Sequence, residues 1–144
     1  MTLHHLDEAR IRQACTDLVT RYAYLNDERR FEELVALFTE DAILFRPSAP
    51  EQGIAGRPAM LAALRTRTAE TMTFHMTSDV LVEVVDAQHA QARSRILLLS
   101  GTRAQDGSAL PVALKAPVPG VFRDSFRLTG DGWKFCERRG RFWI

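Results

Sequence analysis

MTFHMTSDVLVEVV (72–85) and HAQARSRILLLSGTRA (89–104) decide the fold. Both are dense in β-branched and apolar residues, and both far exceed the usual strand of about 5–6 residues. Only Asp86 to Gln88 lie between them, so the pair reads as one long hairpin. Downstream, PGVFRDSFRL (119–128), the turn TGDG (129–132) and WKFCERRGRFW (133–143) form a second hairpin, with Asp131-Gly132 as its turn signal.

Upstream the period is helical. Ile11, Cys15, Leu18 and Tyr22 follow i, i+4, i+7, i+11 spacing between Leu6 and Leu25, with Asp7 as N-cap and Leu6 and Ile11 placed as a hydrophobic staple. The pattern stops at Asn26 and Asp27, and ERRFEELVALF (28–38) begins a second helix with Phe31, Leu34, Val35 and Phe38 inward. DAILF (41–45) reads as a short strand, and RPSAPEQGIAGRP (46–58) as a Pro- and Gly-rich surface loop. PAMLAALRTRTAE (58–70) is a third helix opened by Pro58, with Met60, Leu61 and Leu64 buried. Helices followed by a meander of long strands predict an α+β domain, its helices packed on one side of a curved antiparallel sheet.

A chain of 144 residues with 46% hydrophobic and 26% charged residues has the composition of one soluble globular domain, residues 1–144. A formal charge of +1 argues against nucleic acid or an anionic membrane as partner. Cys15 and Cys136 form no C-x-x-C pair, and MTLHHLDEAR (1–10) has no apolar stretch of a signal peptide, so a reduced, cytoplasmic protein is expected. His4, His5 and His89 have no partner at ligand spacing, so no metal is expected.

Four blocks in order, LVTRYAYLNDERRFEELVALFTEDA (18–42), GIAGRPAM (53–60), TFHMTSD (73–79) and GDGWKFCERR (130–139), resemble the SnoaL-like branch of the NTF2-like superfamily. That branch holds scytalone dehydratase, bile-acid 7α-dehydratase and a hexachlorocyclohexane dehydrochlorinase. The resemblance implies a cone-shaped, cystatin-like α+β barrel with an internal cavity. It also implies an Asp after the first helix and a His opening the first long strand, positions held here by Asp27 and His75. Tyr22 and Arg138 match further positions where relatives carry a Tyr or Lys and an Arg.

Those residue types suit proton abstraction. A neutral imidazole is a base near working pH, and a carboxylate on its other nitrogen fixes the tautomer and stabilises the imidazolium. A phenol and a guanidinium would stabilise an enolate or a departing hydroxide. The resemblance thus implies a cofactor-independent lyase or isomerase acting on a hydrophobic cyclic molecule, in a pocket lined by Phe38, Phe45, Met76, Leu98, Ser100 and Phe122.

Other readings stand beside this one. Asp27 also suits an N-cap for the second helix. Strict alternation from Trp133 turns Arg138 and Arg139 to opposite faces, and only a bulge or register shift decides which points inward. RILLLSG (95–101) offers Leu98 and Ser100 where relatives place a second His or an Asp. In LFRPSA (44–49), Arg46 precedes Pro47 where ketosteroid isomerase has its general-base Asp, which counts against that mechanism. The alternative function is a non-catalytic ligand-binding module, or an assembly subunit resembling the β subunit of ring-hydroxylating dioxygenases. An exposed sheet face predicts a homodimer or homotrimer in either case.

Overall fold

A computed structural model describes residues 3–108 and 111–143. Helix α1 spans His5–Asp27 and α2 spans Phe31–Val35; β1 (Phe38–Phe45) and β2 (Gly53–Ala55) precede α3 (Arg57–Leu64). The strands β3 (Thr71–Val84), β4 (His89–Arg103), β5 (Pro111–Val112), β6 (Val118–Thr129) and β7 (Gly132–Phe142) complete the chain. The sheet order is β2-β1-β7-β6-β4-β3, with β5 paired to the far end of β4.

The two long hairpins form where their apolar density and turn residues place them. Every pair is antiparallel except β1–β7, which is parallel. That pair corrects the expectation of a wholly antiparallel sheet. β1 leaves the helical segment in the direction β7 later takes, and the intervening chain is long enough for the crossover that parallel pairing needs.

Several boundaries also differ: α2 stops at Val35, so Phe38 opens β1 instead of ending a helix, and β2 falls inside the expected loop 46–58. His4, not Asp7, caps α1: its Nδ1 accepts from the Leu6 amide at 3.2 Å. Asp7 falls in the first turn, where a carboxylate complements the positive end of the helix. Helix α3 ends at Leu64 rather than at Glu70, and Arg65–Glu70 make the turn into β3.

α1 lies in the hollow of the curved sheet with Ile11, Cys15, Leu18, Val19 and Tyr22 inward. Against it pack Phe38, Phe126 and Phe135, each no more than 1% exposed, and burying such a ring contributes about 2–3 kcal/mol. Ala42, Ala90 and Ala92 face this end of the hollow, so helix and strands close on one another and the end is filled. Beyond Tyr22 the inward residues become Ile96, Leu98 and Ser100, and the cone stays open.

Two bulges set what faces inward. On β7, Phe135 pairs with Phe126 and Glu137 with Ser125, so Cys136 has no partner and the alternation changes phase. Phe135 and Arg138 therefore both point inward, with Arg139 outside over the Phe45 ring. On β3 the register shifts between Ser78 and Leu81, where Asp79 has φ +54°. Thr73 and His75 face inward before that shift, and Val80, Val82 and Val84 after it.

Candidate active site

α1 ends at Asp27, the chain reverses through Arg29 at φ +60°, and α2 begins without a side-chain cap. Asp27 is thus no N-cap. Its carboxylate reaches across to β3, where three donors converge on it. Oδ2 accepts from the His75 amide at 2.8 Å, while Oδ1 accepts from the Thr73 hydroxyl at 2.8 Å and meets His75 Nδ1 at 2.5 Å. Thr73 and His75 are two apart on a strand, so one carboxylate spans both side chains. A carboxylate can only accept, so Nδ1 carries a hydrogen, and in the neutral imidazole Nε2 then keeps its lone pair. Nε2 has no hydrogen-bond partner among the described residues, and the ring lines the open end of the cone.

A second set of contacts holds this corner together. Arg67, in the turn after α3, donates to Asn26 Oδ1 at 2.6 Å and to the Asn26 carbonyl at 3.2 Å, fixing the residue before Asp27. Arg29 in turn donates to the carbonyls of Arg67, Thr68 and Thr71, at 2.8, 3.2 and 3.4 Å. The left-handed backbone at Arg29 costs on the order of 1–3 kcal/mol, offset by these bonds between the end of α1 and the loop entering β3. Burial, and then the repulsion of Arg29, pull the Arg67 guanidinium below its ordinary range.

The cavity has a volume of about 310 Å³. Its wall carries the polar side chains of Asn26, Arg46, Arg67, Thr73, Ser100 and His75 and the apolar ones of Tyr22, Leu64, Ile96, Leu98, Phe122 and Phe142. Pro47 and Ser48 border it as well. Pro47 lies against Gly140, where a Cβ would sit 2.6 Å from its ring and 2.7 Å from Phe122, so only glycine admits the strand, the ring and the loop together.

Of the sequence-derived candidates, Tyr22, His75, Leu98, Ser100 and Phe122 stand on the cavity wall. Asp27 is behind the His75 ring, facing an outer groove with Tyr24, Phe74 and Met76. Three pocket assignments are corrected. Met76 is 52% exposed on the outer face, because its neighbour His75 points inward and alternation turns Met76 away. Phe38 is inside the filled end of the core, against Tyr22 and Phe135. Phe45 lies outside under Arg139, since Ala42 and Leu44 take the inward positions of β1.

Arg138 points inward but does not line the cavity. It is buried behind Tyr22 and Phe122, its guanidinium 4.2 and 3.8 Å from their ring centres, with Nε 3.3 Å from Asp124 Oδ1. Burial pushes the Asp124 carboxyl up to about 6, with Arg138 opposing. Burial likewise raises the Tyr22 phenol, which keeps it a neutral donor, although Arg138 pulls the other way.

Thr73, Asn26, Arg46 and Arg67 are site residues that sequence reasoning missed. Thr73 was within reach, being two residues before His75 on the same strand face. Arg67 was hidden by a helical pattern that runs on to Glu70, and Arg46 had been considered only for the Asp it replaces. The remaining histidines have local roles: His4 caps α1 and His89 meets Asp86 at 2.9 Å across the hairpin turn. Among the described residues no group of three or more His, Cys, Asp or Glu could hold a metal ion, and no helix is long and apolar enough to cross a membrane.

Residues 7–139 match the family model described as a SnoaL-like domain. No curated protein matches the chain in sequence. Among solved structures, a candidate scytalone dehydratase from Novosphingobium aromaticivorans is 24% identical, with 98% of this chain and 89% of that one covered at a TM-score of 0.79. A hexachlorocyclohexane dehydrochlorinase, LinA type 2, is 18% identical, covering 98% and 90% at 0.81. An NTF2-like protein with a cystatin-like fold, also from Novosphingobium aromaticivorans, is 23% identical, covering 96% and 85% at 0.76. At these identities the likeness establishes the cone-shaped fold.

Proposed function

The chain belongs to the SnoaL-like family, and from that premise we propose that it is a cofactor-independent lyase or isomerase whose general base is His75. The observation that carries the reading is the imidazole held by Asp27 at Nδ1, with Nε2 unpartnered on the wall of an open cavity. Two of its solved neighbours are named for eliminations, one of water and one of hydrogen chloride.

In this mechanism Nε2 removes a proton from a carbon of the bound substrate. Asp27 keeps the ring in the required tautomer and stabilises the imidazolium formed, and Thr73 and the His75 amide keep Asp27 in place. Such a base contributes roughly 10²- to 10⁴-fold in rate. Tyr22, neutral and also lining the cavity, donates its phenolic hydrogen to the oxygen that gains charge, whether enolate or leaving hydroxide. One well-placed donor of this kind contributes about 3 kcal/mol. Arg138 acts from behind Tyr22, as a fixed cation that orients the phenol rather than as a substrate contact.

The alternative, a non-catalytic binding or assembly subunit, is favoured by the exposed Tyr24, Phe74, Met76 and Trp143, which are 65, 62, 52 and 71% accessible. A binding module would account for the open cavity but not for the Asp27–His75 pair on its wall, so the enzymatic reading is preferred.

The test is a panel of cyclic β-hydroxy ketones, β-hydroxy ring carboxylic acids and chlorinated cyclohexanes, followed for loss of water or hydrogen chloride by wild type and His75→Ala. We expect turnover of at least one member by wild type and a fall of at least about 100-fold in the variant. Turnover unaffected by His75→Ala, or a panel left untouched by wild type, would overturn the reading.

A further inference from the structure

The cavity carries two guanidinium groups. Arg46, at the end of β1, and Arg67, in the turn after α3, both line it, and among the described residues neither stands within 4.0 Å of a carboxylate. Arg67 spends its donors on Asn26 and, at 3.4 Å, on Thr73. Arg46 has one long bond, from Nη1 to the Ala63 carbonyl at 3.4 Å, while its Nε is buried with no acceptor.

Buried, unsatisfied guanidinium donors are costly, and two like charges facing one hollow add to the cost. Unlike Arg46, Arg138 has a carboxylate beside it, Asp124 at 3.3 Å, and Arg29 has three carbonyls. The missing partner of Arg46 is an anion supplied from the cavity. A planar carboxylate suits it best, because a guanidinium fork pairs with two carboxylate oxygens at once. Elsewhere on the same wall, Ile96, Leu98, Phe122 and Phe142 offer hydrocarbon and aromatic surface, which fits the ring of the same molecule. Size bounds that ring. A cavity of roughly 150 Å³ takes a benzene, so about 310 Å³ suits one ring or two fused rings with a short acidic substituent.

We propose that the substrate is a small ring-bearing carboxylic acid, bound with its carboxylate on Arg46 and Arg67 and its ring against Ile96, Leu98, Phe122 and Phe142. This rests on the reading of the cavity as a substrate site, and it narrows the substrate from hydrophobic cyclic molecules at large to their monocarboxylates. Arg46 becomes the specificity-determining residue, with Arg67 dividing its donors between ligand and Asn26.

The test measures binding, so no substrate need be known. Titrate the full chain by calorimetry with benzoate, cyclohexanecarboxylate and 2-naphthoate, each beside its uncharged amide, and with phenyl phosphate. At least one carboxylate should bind about tenfold or more tightly than its amide, as expected of charge-assisted pairing. Arg46→Met, which removes only one long hydrogen bond from the fold, should abolish that preference. His75→Gln should retain it. Three results would each overturn the proposal: no carboxylate of the series exceeding its amide, a preference that survives Arg46→Met, or phenyl phosphate binding more tightly than benzoate. Acid binding without turnover of any elimination substrate would count against the lyase reading alone. His75-dependent turnover of neutral compounds, with no preference for acids, would count against this inference alone.

Discussion

Asp124 and Arg138 face each other across β6 and β7, their side chains 0% and 1% exposed. Three aromatic rings surround the guanidinium, those of Tyr22, Phe122 and Phe135, whereas neither carboxylate oxygen has a hydrogen-bond donor among the described residues. Arg138 Nε and Nη1 likewise lack an acceptor among the described residues, and burial pushes Asp124 from 3.8 to about 6 despite Arg138. Between those two values the folded protein binds more protons than the unfolded chain, so stability falls as pH rises through the window and levels off above it. At about 1.4 kcal/mol per pH unit, the gap between 3.8 and about 6 amounts to about 3 kcal/mol well below pH 3.8, of which about 2 kcal/mol is still present at pH 4 and is lost by pH 7. Glu33, Asp41 and Asp86 have lowered pKa values and act in the opposite sense, losing their contribution only as pH falls below the ordinary carboxylate range. The assay is urea unfolding followed by tryptophan fluorescence from about pH 4 to about pH 7, for wild type and Asp124→Asn. The stability of wild type minus that of the variant should fall by about 2 kcal/mol across the series. A flat difference would refute the assignment of a raised carboxyl to Asp124.

Arg138→Met should cost about 3–5 kcal/mol, since it strands a buried carboxylate, whereas Arg139→Met, on the outer face, should cost less than about 1 kcal/mol; chemical denaturation of the two separates the inward Arg from the outward one. Gly140→Ala should destabilise by about 1–3 kcal/mol and loosen the Pro47 loop at the mouth of the cavity, read by unfolding midpoint and by amide exchange at Ser48. Asp27→Asn keeps the size of the side chain but removes the obligatory acceptor. It should reduce elimination by roughly 10³- to 10⁴-fold with little change in KM, as steady-state kinetics on a substrate found in the panel would measure.

Much of the site lay open in the sequence because its two central residues sit at element boundaries. Asp27 ends a helix whose apolar stripe is regular, and His75 opens a strand whose length and β-branching are unmistakable. What the sequence left undecided were matters of phase and partner. A single unpaired residue, Cys136, determines that Arg138 rather than Arg139 turns inward, and a bulge leaves no mark in composition. The parallel β1–β7 pair depends on long-range docking, where no turn residue dictates register. Phe38 and Phe45 lie in apolar stretches that period alone could assign either to the core or to the cavity wall, and packing sent neither to the wall. Arg67 escaped notice because helical propensity continues past Leu64, while the guanidinium of Arg29 takes the carbonyls of the following residues for a turn.

The central claim is that His75 presents an unprotonated Nε2 to the cavity because Asp27 holds its Nδ1–H. Nitrogen-15 NMR of imidazole-labelled protein, under conditions where the ring is neutral, reads this directly. The account predicts a protonated Nδ1 and an unprotonated Nε2 for His75, with the two forms mixing in Asp27→Asn. A His75 found with its hydrogen on Nε2 in the wild type would contradict it.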